Sequence, residues 1–76
     1  MTLSKYRAFL TAVETGSFTA AAKKLFCTQS AVSRMVNDLE EQWGVTLLNR
    51  RKSGVTLTSS GWALVPYIRS VCAEEV

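Results

Sequence analysis

Residues 17–34, SFTAAAKKLFCTQSAVSR, decide the fold, because they predict two helices joined by a tight turn. The hydroxyl side chains within residues 17–19 can cap a short run of strong helix formers that ends near Phe26. The alanines in this run permit close approach to another helix. Thr28 can then cap a second helix, in which apolar residues recur at helical spacing until Gly44 ends it.

One further helix precedes this pair, and the periodicity changes after it. Apolar residues at helical spacing predict a helix over residues 3–15, with Gly16 as its left-handed stop. Residues 47–57 contain a Ser53-Gly54 turn and predict a small two-stranded hairpin, which is marginal alone and must pack against the helices. The sequence thus predicts a mainly α fold with a three-helix core and one two-stranded sheet.

A fourth helix is predicted to follow, capped by Thr58 or Ser59, with a broad apolar sector over residues 64–76. Pro66 lies too deep for a first-turn proline, so we expect a kink or one unpaired carbonyl. Trp62 falls outside the main apolar sector, and we expect it to pack against the hairpin or a partner helix, with full exposure as the alternative. No stop signal precedes the end of the chain, so we interpret the sequence as a fragment cut inside or soon after a helix.

Length and composition exclude most function classes. The chain has 76 residues, 9 Lys plus Arg, 6 Asp plus Glu, 2 Cys and no His. Without an imidazole base, a zinc-type ligand set or a glycine-rich phosphate loop, we expect no catalysis, no metal and no cofactor. No apolar run approaches the ~20 residues of a membrane helix, so we expect a soluble cytoplasmic protein that does not bind membranes.

The short length of the chain also predicts that it forms an oligomer. One core in fewer than about 80 residues rarely supplies more than ~3–5 kcal/mol of stability. In a reducing cytoplasm Cys27 and Cys72 are expected to be small buried hydrophobic residues, with a redox-sensing role as the alternative. Because no disulfide or metal is then expected to supplement the core, we expect oligomerisation.

The charged residues are sorted along the chain. Residues 17–37 and 49–70 contain basic residues and no acid, whereas the acids other than Glu14 lie at residues 38–41 and 74–75. Such sorting favours phosphate binding, because gathered cations attract a polyanion over a Debye length of ~10 Å. A solvated basic surface without a partner is the alternative.

The third helix, residues 29–43, carries a polar face opposite its apolar stripe. This recognition face consists of Gln29, Ser30, Ser33, Arg34 and Asn37. Gln and Asn can pair bidentately with adenine and Arg with guanine, and small Ser residues suit a major groove ~12 Å wide. Glu40 and Glu41 lie in the same sector and would repel phosphate, so only the N-terminal half of the helix is expected to enter the groove. An ordinary solvated helix face is the alternative.

Candidate phosphate contacts lie on the second helix and the hairpin. Ser17 or Thr19 can donate to a phosphate beside the free N–H groups of a helix start. Lys23 and Lys24 are either further phosphate contacts or ordinary solvated lysines. Residues 50–53, Arg-Arg-Lys-Ser, suit a wing that follows phosphates or enters a narrow minor groove, with a charged solubilising turn as the alternative.

Several short motifs occur in one register. They are SFTAAAKKL (17–25), TQSAVSR (28–34), Leu39-Glu40 with Gly44, Leu47 with Arg50, and Thr56-Leu57-Thr58 with Gly61. Together they closely resemble the N-terminal domain of LysR-type transcriptional regulators, over essentially the whole chain. The resemblance implies a winged helix-turn-helix over residues 1–58 and a linker helix over residues 59–76 that pairs antiparallel with its copy in a dimer. It also implies a separate effector-binding domain that is absent from this sequence.

The residue pattern and the resemblance together predict the site residues. Predicted base contacts are Gln29, Ser30, Ser33, Arg34 and Asn37. Predicted phosphate contacts are Ser17, Thr19, Thr28 and Lys23, and the predicted wing contacts are Arg50, Arg51, Lys52 and Ser53. The predicted dimer contacts are Leu64, Val65, Ile68, Val71 and Cys72. Trp43, Leu48 and Ser60 stand where the family usually has Leu, Phe and Ala, and the first two preserve burial.

The sequence thus predicts sequence-specific binding of double-stranded DNA by a homodimer in the bacterial nucleoid. Residues 29–43 would enter the major groove, and the wing, residues 49–55, would contact the backbone or minor groove. A symmetric dimer implies a near-palindromic operator with half-sites about one helical turn, ~34 Å, or a multiple apart. A tetramer stays open for the full-length regulator. The alternative function is a winged-helix protein-interaction module that does not bind DNA.

Overall fold

Four helices and one two-stranded sheet make up the computed structural model, which describes residues 4–74. In chain order they are α1 (Lys5–Thr15), α2 (Phe18–Leu25), α3 (Gln29–Trp43), β1 (Leu48–Arg51), β2 (Gly54–Leu57) and α4 (Ser59–Glu74). This arrangement confirms the predicted mainly α fold class. The ends of the predicted first and fourth helices, at residue 3 and residues 75–76, lie outside the described residues.

Hydroxyl side chains start the three core helices. The side-chain oxygens of Ser4, Ser17 and Thr28 each accept a hydrogen bond from the backbone N–H three residues later, at 3.1, 3.2 and 3.1 Å. Each bond satisfies one of the donors that a helix start leaves unpaired. Ser4 is the cap and has an extended backbone, so α1 begins at Lys5 and residue 4 is not helical as predicted.

The turn between α2 and α3 depends on a left-handed residue that is not glycine. Phe26 has a φ of 57° and is 94% exposed. Its backbone N–H donates to the carbonyl of Lys23 at 3.4 Å, and the N–H of Cys27 donates to the carbonyl of Ala22 at 3.0 Å. These bonds end α2 and turn the chain toward the Thr28 cap of α3, which completes a helix-turn-helix.

The hairpin is fixed to the turn between α1 and α2. The strands β1 and β2 pair antiparallel with Arg51 opposite Gly54, so the turn residues are 52–53, one position earlier than predicted. Gly54 has a φ of 133°, and a side chain there would collide with the carbonyl of Gly16. The N–H of Val55 donates to this same carbonyl at 2.9 Å. Close backbone approach therefore requires glycine at the start of β2.

All four helices and β1 contribute to the core. Its largest fully buried side chains are Phe9, Leu39, Leu47, Leu48, Ile68, Val32 and Val36. The burial of Ile68 at 0% exposure shows that its predicted place at a dimer seam is wrong, because it faces the core of its own domain. Leu64 and Val65 are partly buried against the same core.

The outer face of α4 carries two aromatic residues. Trp62 is 68% exposed and Tyr67 is 66% exposed. The expectation that Trp62 packs against the hairpin is therefore wrong. The helix continues through Pro66. Cys27 and Cys72 are half-buried, not fully buried as expected, and they form no disulfide. Within residues 4–74, none of the helices has both the length and the apolarity that crossing a membrane requires.

Candidate nucleic-acid interface

The recognition face forms an exposed concavity on α3. Its lining comprises all five predicted residues, Gln29, Ser30, Ser33, Arg34 and Asn37, together with Asp38, around a volume of about 590 Å³. Ser33 is half-buried and the others are exposed, whereas Val32, Val36 and Leu39 on the opposite side are buried. The helix therefore presents polar side chains to solvent and anchors itself by its apolar stripe. Asp38 is an acid that the sequence interpretation did not place at this site.

A basic groove adjoins this concavity. It is lined by Ser17, Phe18, Thr19, Gln29, Ser33, Arg50, Arg51, Lys52, Gly54 and Val55, and encloses about 460 Å³. Gln29 and Ser33 line both the concavity and the groove, so the two form one continuous surface. The fold thereby brings the start of α2, the start of α3 and the hairpin together. Of the predicted phosphate and wing contacts, Thr28, Lys23 and Ser53 do not line the groove, whereas the others do: Ser17, Thr19, Arg50, Arg51 and Lys52.

The hydroxyl groups predicted to contact phosphate differ in the hydrogen bonds that they make in the structure. Ser17 and Thr28 accept hydrogen bonds as helix caps, which leaves the hydroxyl proton of each available to donate outward. Thr19 instead donates its single hydroxyl proton to Oε1 of Gln29, at 3.0 Å. Lys23 and Lys24 are exposed on the last turn of α2.

The three cations of the hairpin are not equivalent. The guanidinium of Arg50 lies 2.9 Å from Oε1 of Glu40 and 5.2 Å from the ring centroid of Phe18. Arg50 is therefore held within the domain by an ion pair and a cation–π contact. Arg51 and Lys52 are exposed, and neither has a carboxylate partner within residues 4–72.

Glu40 joins α3 to the hairpin. Its Oε2 accepts hydrogen bonds from the backbone N–H groups of Leu47 and Leu48 at 2.7 and 3.1 Å, and its Oε1 accepts from Arg50. The side chain is only 15% exposed. The expectation that Glu40 acts as an outward acid beside Glu41 is therefore wrong, because Arg50 neutralises it and the chain after α3 covers it. The sequence carries no signal for this role, which depends on how residues 44–47 fold back.

We expect Glu40→Gln to lower the free energy of unfolding by about 1–2 kcal/mol, because a neutral amide weakens the three charge-assisted hydrogen bonds of Glu40 and its NH2 end cannot accept. Urea denaturation of the purified domain measures this change. Glu41→Gln is the matched control, since Glu41 is exposed and its loss should change stability by less than about 0.5 kcal/mol. Equal effects of the two substitutions would contradict the role of Glu40 as a clamp.

Comparisons with known proteins agree with this geometry. Residues 3–62 match the family model described as bacterial regulatory helix-turn-helix protein, lysR family. A probable nitrogen assimilation transcriptional activator of Synechococcus elongatus is 43% identical over 74 residues, which is 97% of this chain and 24% of that protein. The transcriptional regulator TdcA of Escherichia coli is 42% identical over 66 residues, 87% of this chain and 21% of that protein. The chain thus spans about a quarter of the length of these relatives.

Solved structures with the same fold include complexes with DNA. The DNA-binding domain of CbnR in complex with DNA superposes with a TM-score of 0.88 and 32% identity, covering 93% of this chain and 82% of that one. The DNA-binding domain of BenM on the benA site 1 DNA superposes with a TM-score of 0.84 and 36% identity, covering 97% and 83%. Helix order, hairpin and sequence motifs therefore agree with the family match: the chain belongs to the LysR family of bacterial regulatory helix-turn-helix proteins.

Proposed function

We propose that this chain is the DNA-binding domain of a LysR-type transcriptional regulator and that it binds specific sequences in double-stranded DNA. The observation that carries the proposal is the continuity of the polar recognition face with the basic groove. Helix α3 enters the major groove by its N-terminal half, and the wing, residues 49–55, lies along the backbone or minor groove. The DNA complexes of the CbnR and BenM domains support this function.

The division of contacts follows from the chemistry of each group. The recognition face reads base edges, whereas Ser17, Thr28 and Lys23 contact phosphates and fix the position of the helix. Arg51 and Lys52 supply positive charge at the exposed end of the wing, and Arg50 braces the wing against α3 through its ion pair with Glu40. This proposal requires no metal or cofactor in the domain. Any small-molecule effector binds a part of the regulator outside this chain.

A protein-interaction module is the second candidate function, and the exposed apolar residues argue against it. The large exposed hydrophobic residues among those described are Phe26, Trp62 and Tyr67, and none of them lines the concavity or the groove. An interaction module usually presents aromatic or aliphatic anchors at the centre of its binding face. The recognition face offers amide, hydroxyl and guanidinium groups instead, which favours DNA.

Fluorescence anisotropy with labelled duplex DNA tests the proposed function. We expect binding to random duplex at low salt that weakens steeply as salt rises, because bound cations release counterions from the phosphates. Selection from a random duplex pool should then enrich a motif that the protein binds at least about 1,000-fold more tightly than random sequence. No binding to duplex at low salt would contradict DNA binding.

We expect Arg51→Ala to weaken binding to all sequences by a similar factor and to reduce the slope of log affinity against log salt by about one. The reason is that Arg51 is exposed at the hairpin turn and has no carboxylate partner within residues 4–72. Arg69→Ala is the matched control, because Arg69 is an exposed arginine on α4. If the slope in Arg51→Ala stays at the wild-type value, the wing does not contact the DNA.

We further propose that two copies pair through α4 and bind a near-palindromic operator as a homodimer. The burial of Ile68 moves the contact surface from the predicted seam toward the outer face of α4, which carries Trp62, Ala63, Pro66 and Tyr67. Trp62 and Tyr67 are five residues apart, about 140° around the helix, so they lie at the two edges of this exposed side. Exposed aromatic residues are typical of a surface that a partner covers. The operator half-sites would lie about one helical turn, ~34 Å, or a multiple apart on nucleoid DNA.

Tyr67→Glu tests the dimer. We expect it to raise the dimer dissociation constant by about tenfold or more, since a carboxylate would be desolvated in an apolar contact. Analytical ultracentrifugation over a concentration series measures this change. Phe26→Glu is the matched control, because it introduces the same charge in place of an exposed aromatic residue off α4. A dimer that is equally weakened by both substitutions would contradict pairing through α4.

A further inference from the structure

The side chain of Gln29 is held by Thr19, and this contact bears on which bases α3 selects. Thr19 lies in the first turn of α2, and Gln29 is the first residue of α3. The hydroxyl of Thr19 donates to Oε1 of Gln29 at 3.0 Å. Both side chains are exposed, and Gln29 lines the concavity and the basic groove together. The bond therefore lies on the surface that the proposed function assigns to DNA.

A glutamine amide has two chemically opposite ends. Oε1 only accepts hydrogen bonds, whereas Nε2 carries two donors. The torsion that turns the amide plane is broad and roughly two-fold, so an unrestrained glutamine can offer either end to a base. The hydroxyl proton of Thr19 removes this choice, because it pairs with Oε1. Nε2 is then the end that extends away from α2.

We propose that Thr19 is a positioning residue that makes Gln29 select a base with an acceptor in the major groove. Guanine presents the acceptors O6 and N7, and thymine presents the acceptor O4. Adenine also has the acceptor N7, but it lies beside the N6 donor, whereas cytosine presents only the N4 donor. A bidentate pair with adenine also requires Oε1 to accept from the N6 amino group, but the bond from Thr19 takes one of the two lone pairs of Oε1 and holds this atom toward α2. The inference rests on the proposed function, and it replaces both the adenine pairing and the Thr19 phosphate contact that the sequence predicts.

Selection from a random duplex pool compares wild type, Gln29→Ala, Thr19→Val and Thr19→Ser. The motif position at which Gln29→Ala loses its base preference is the one that Gln29 contacts. Wild type should prefer guanine or thymine at that position. Thr19→Val keeps the shape and removes the hydroxyl, so we expect preference at that base pair alone to fall about fivefold. Thr19→Ser keeps the hydroxyl and should stay within about twofold of wild type.

Two further variants separate positioning from direct contact. In the Gln29→Ala background, Thr19→Val should have no added effect on base preference, because Thr19 acts through Gln29. Gln29→Glu keeps an acceptor for Thr19 but has no N–H donor, so we expect its preference to move to cytosine, whose N4 donor suits a carboxylate. This variant keeps the inference falsifiable even if Thr19→Val fails to give a folded protein, as monitored by circular dichroism.

Three outcomes would overturn the inference. One is that Thr19→Val weakens binding to all DNA sequences by one common factor, as the loss of a phosphate contact would. The second is that Gln29→Ala changes no base preference. The third is that Gln29→Glu retains the preference for guanine or thymine. In each case wild type still enriches a motif, so the proposed function stands. A wild-type protein that enriches no motif at all would instead contradict the proposed function.

Discussion

Gly61→Ala is expected to lower the free energy of unfolding by about 3 kcal/mol, which is most of the ~3–5 kcal/mol that the core of so short a chain supplies. A methyl group at Gly61 would lie far inside van der Waals contact with the backbone carbonyl oxygen of Leu47 and 2.8 Å from Cδ2 of Leu57. The Leu47 carbonyl also accepts a hydrogen bond from the N–H of Thr58 at 3.0 Å. Relief of the collision therefore requires the backbone to move and strains the bond that positions the start of α4.

Helix propensity alone predicts the opposite sign, which makes the measurement decisive. Gly61 lies in α4 and is not left-handed, so alanine would stabilise an uncrowded helix by up to about 1 kcal/mol. Gly44→Ala is the complementary control, because Gly44 has a φ of 68° and open space around its Cα. It should cost only the ~1–2 kcal/mol of a left-handed alanine. A Gly61→Ala domain as stable as wild type in urea denaturation would contradict close packing of α4 on residue 47.

The features predicted correctly from the sequence are local in origin. The Thr28 cap, the left-handed stops at Gly16 and Gly44 and the bounds of α3 follow from residues within one or two turns of each other. The recognition face is predictable for the same reason, because helical periodicity alone separates it from the apolar stripe. None of these features depends on contacts between distant segments.

The features that were missed depend on contacts between distant segments. Ile68 belongs to the apolar sector of α4, but only packing on the other helices decides which part of that sector the domain itself buries. Glu40 and Arg50 both look like surface charges in the sequence, and their pairing requires the return of the chain after α3. The bond between Thr19 and Gln29 likewise joins two helices, although each residue was singled out separately.

Arg34→Ala is expected to lower affinity for the selected DNA site far more than affinity for random duplex. Arg34 is exposed on α3 and borders both the recognition concavity and a second hollow lined by Thr28, Ser30, Ala31 and Met35. Its guanidinium can donate two parallel hydrogen bonds to guanine O6 and N7, which is worth ~1–3 kcal/mol of discrimination. We therefore expect about a 5- to 150-fold loss on the selected site and only a few-fold loss on random DNA.

Arg34→Lys separates the geometry of this contact from its charge. Lysine keeps the positive charge but loses the planar fork, so binding to random duplex should match wild type while the selected site still loses affinity. Lys24→Ala controls for the removal of an exposed cation that lies on α2, outside the concavity and the groove. Anisotropy titrations of all variants on both duplexes give the required ratios. Equal losses on the selected and random duplexes in Arg34→Ala would mean that Arg34 contacts phosphate, since a backbone contact carries no sequence information.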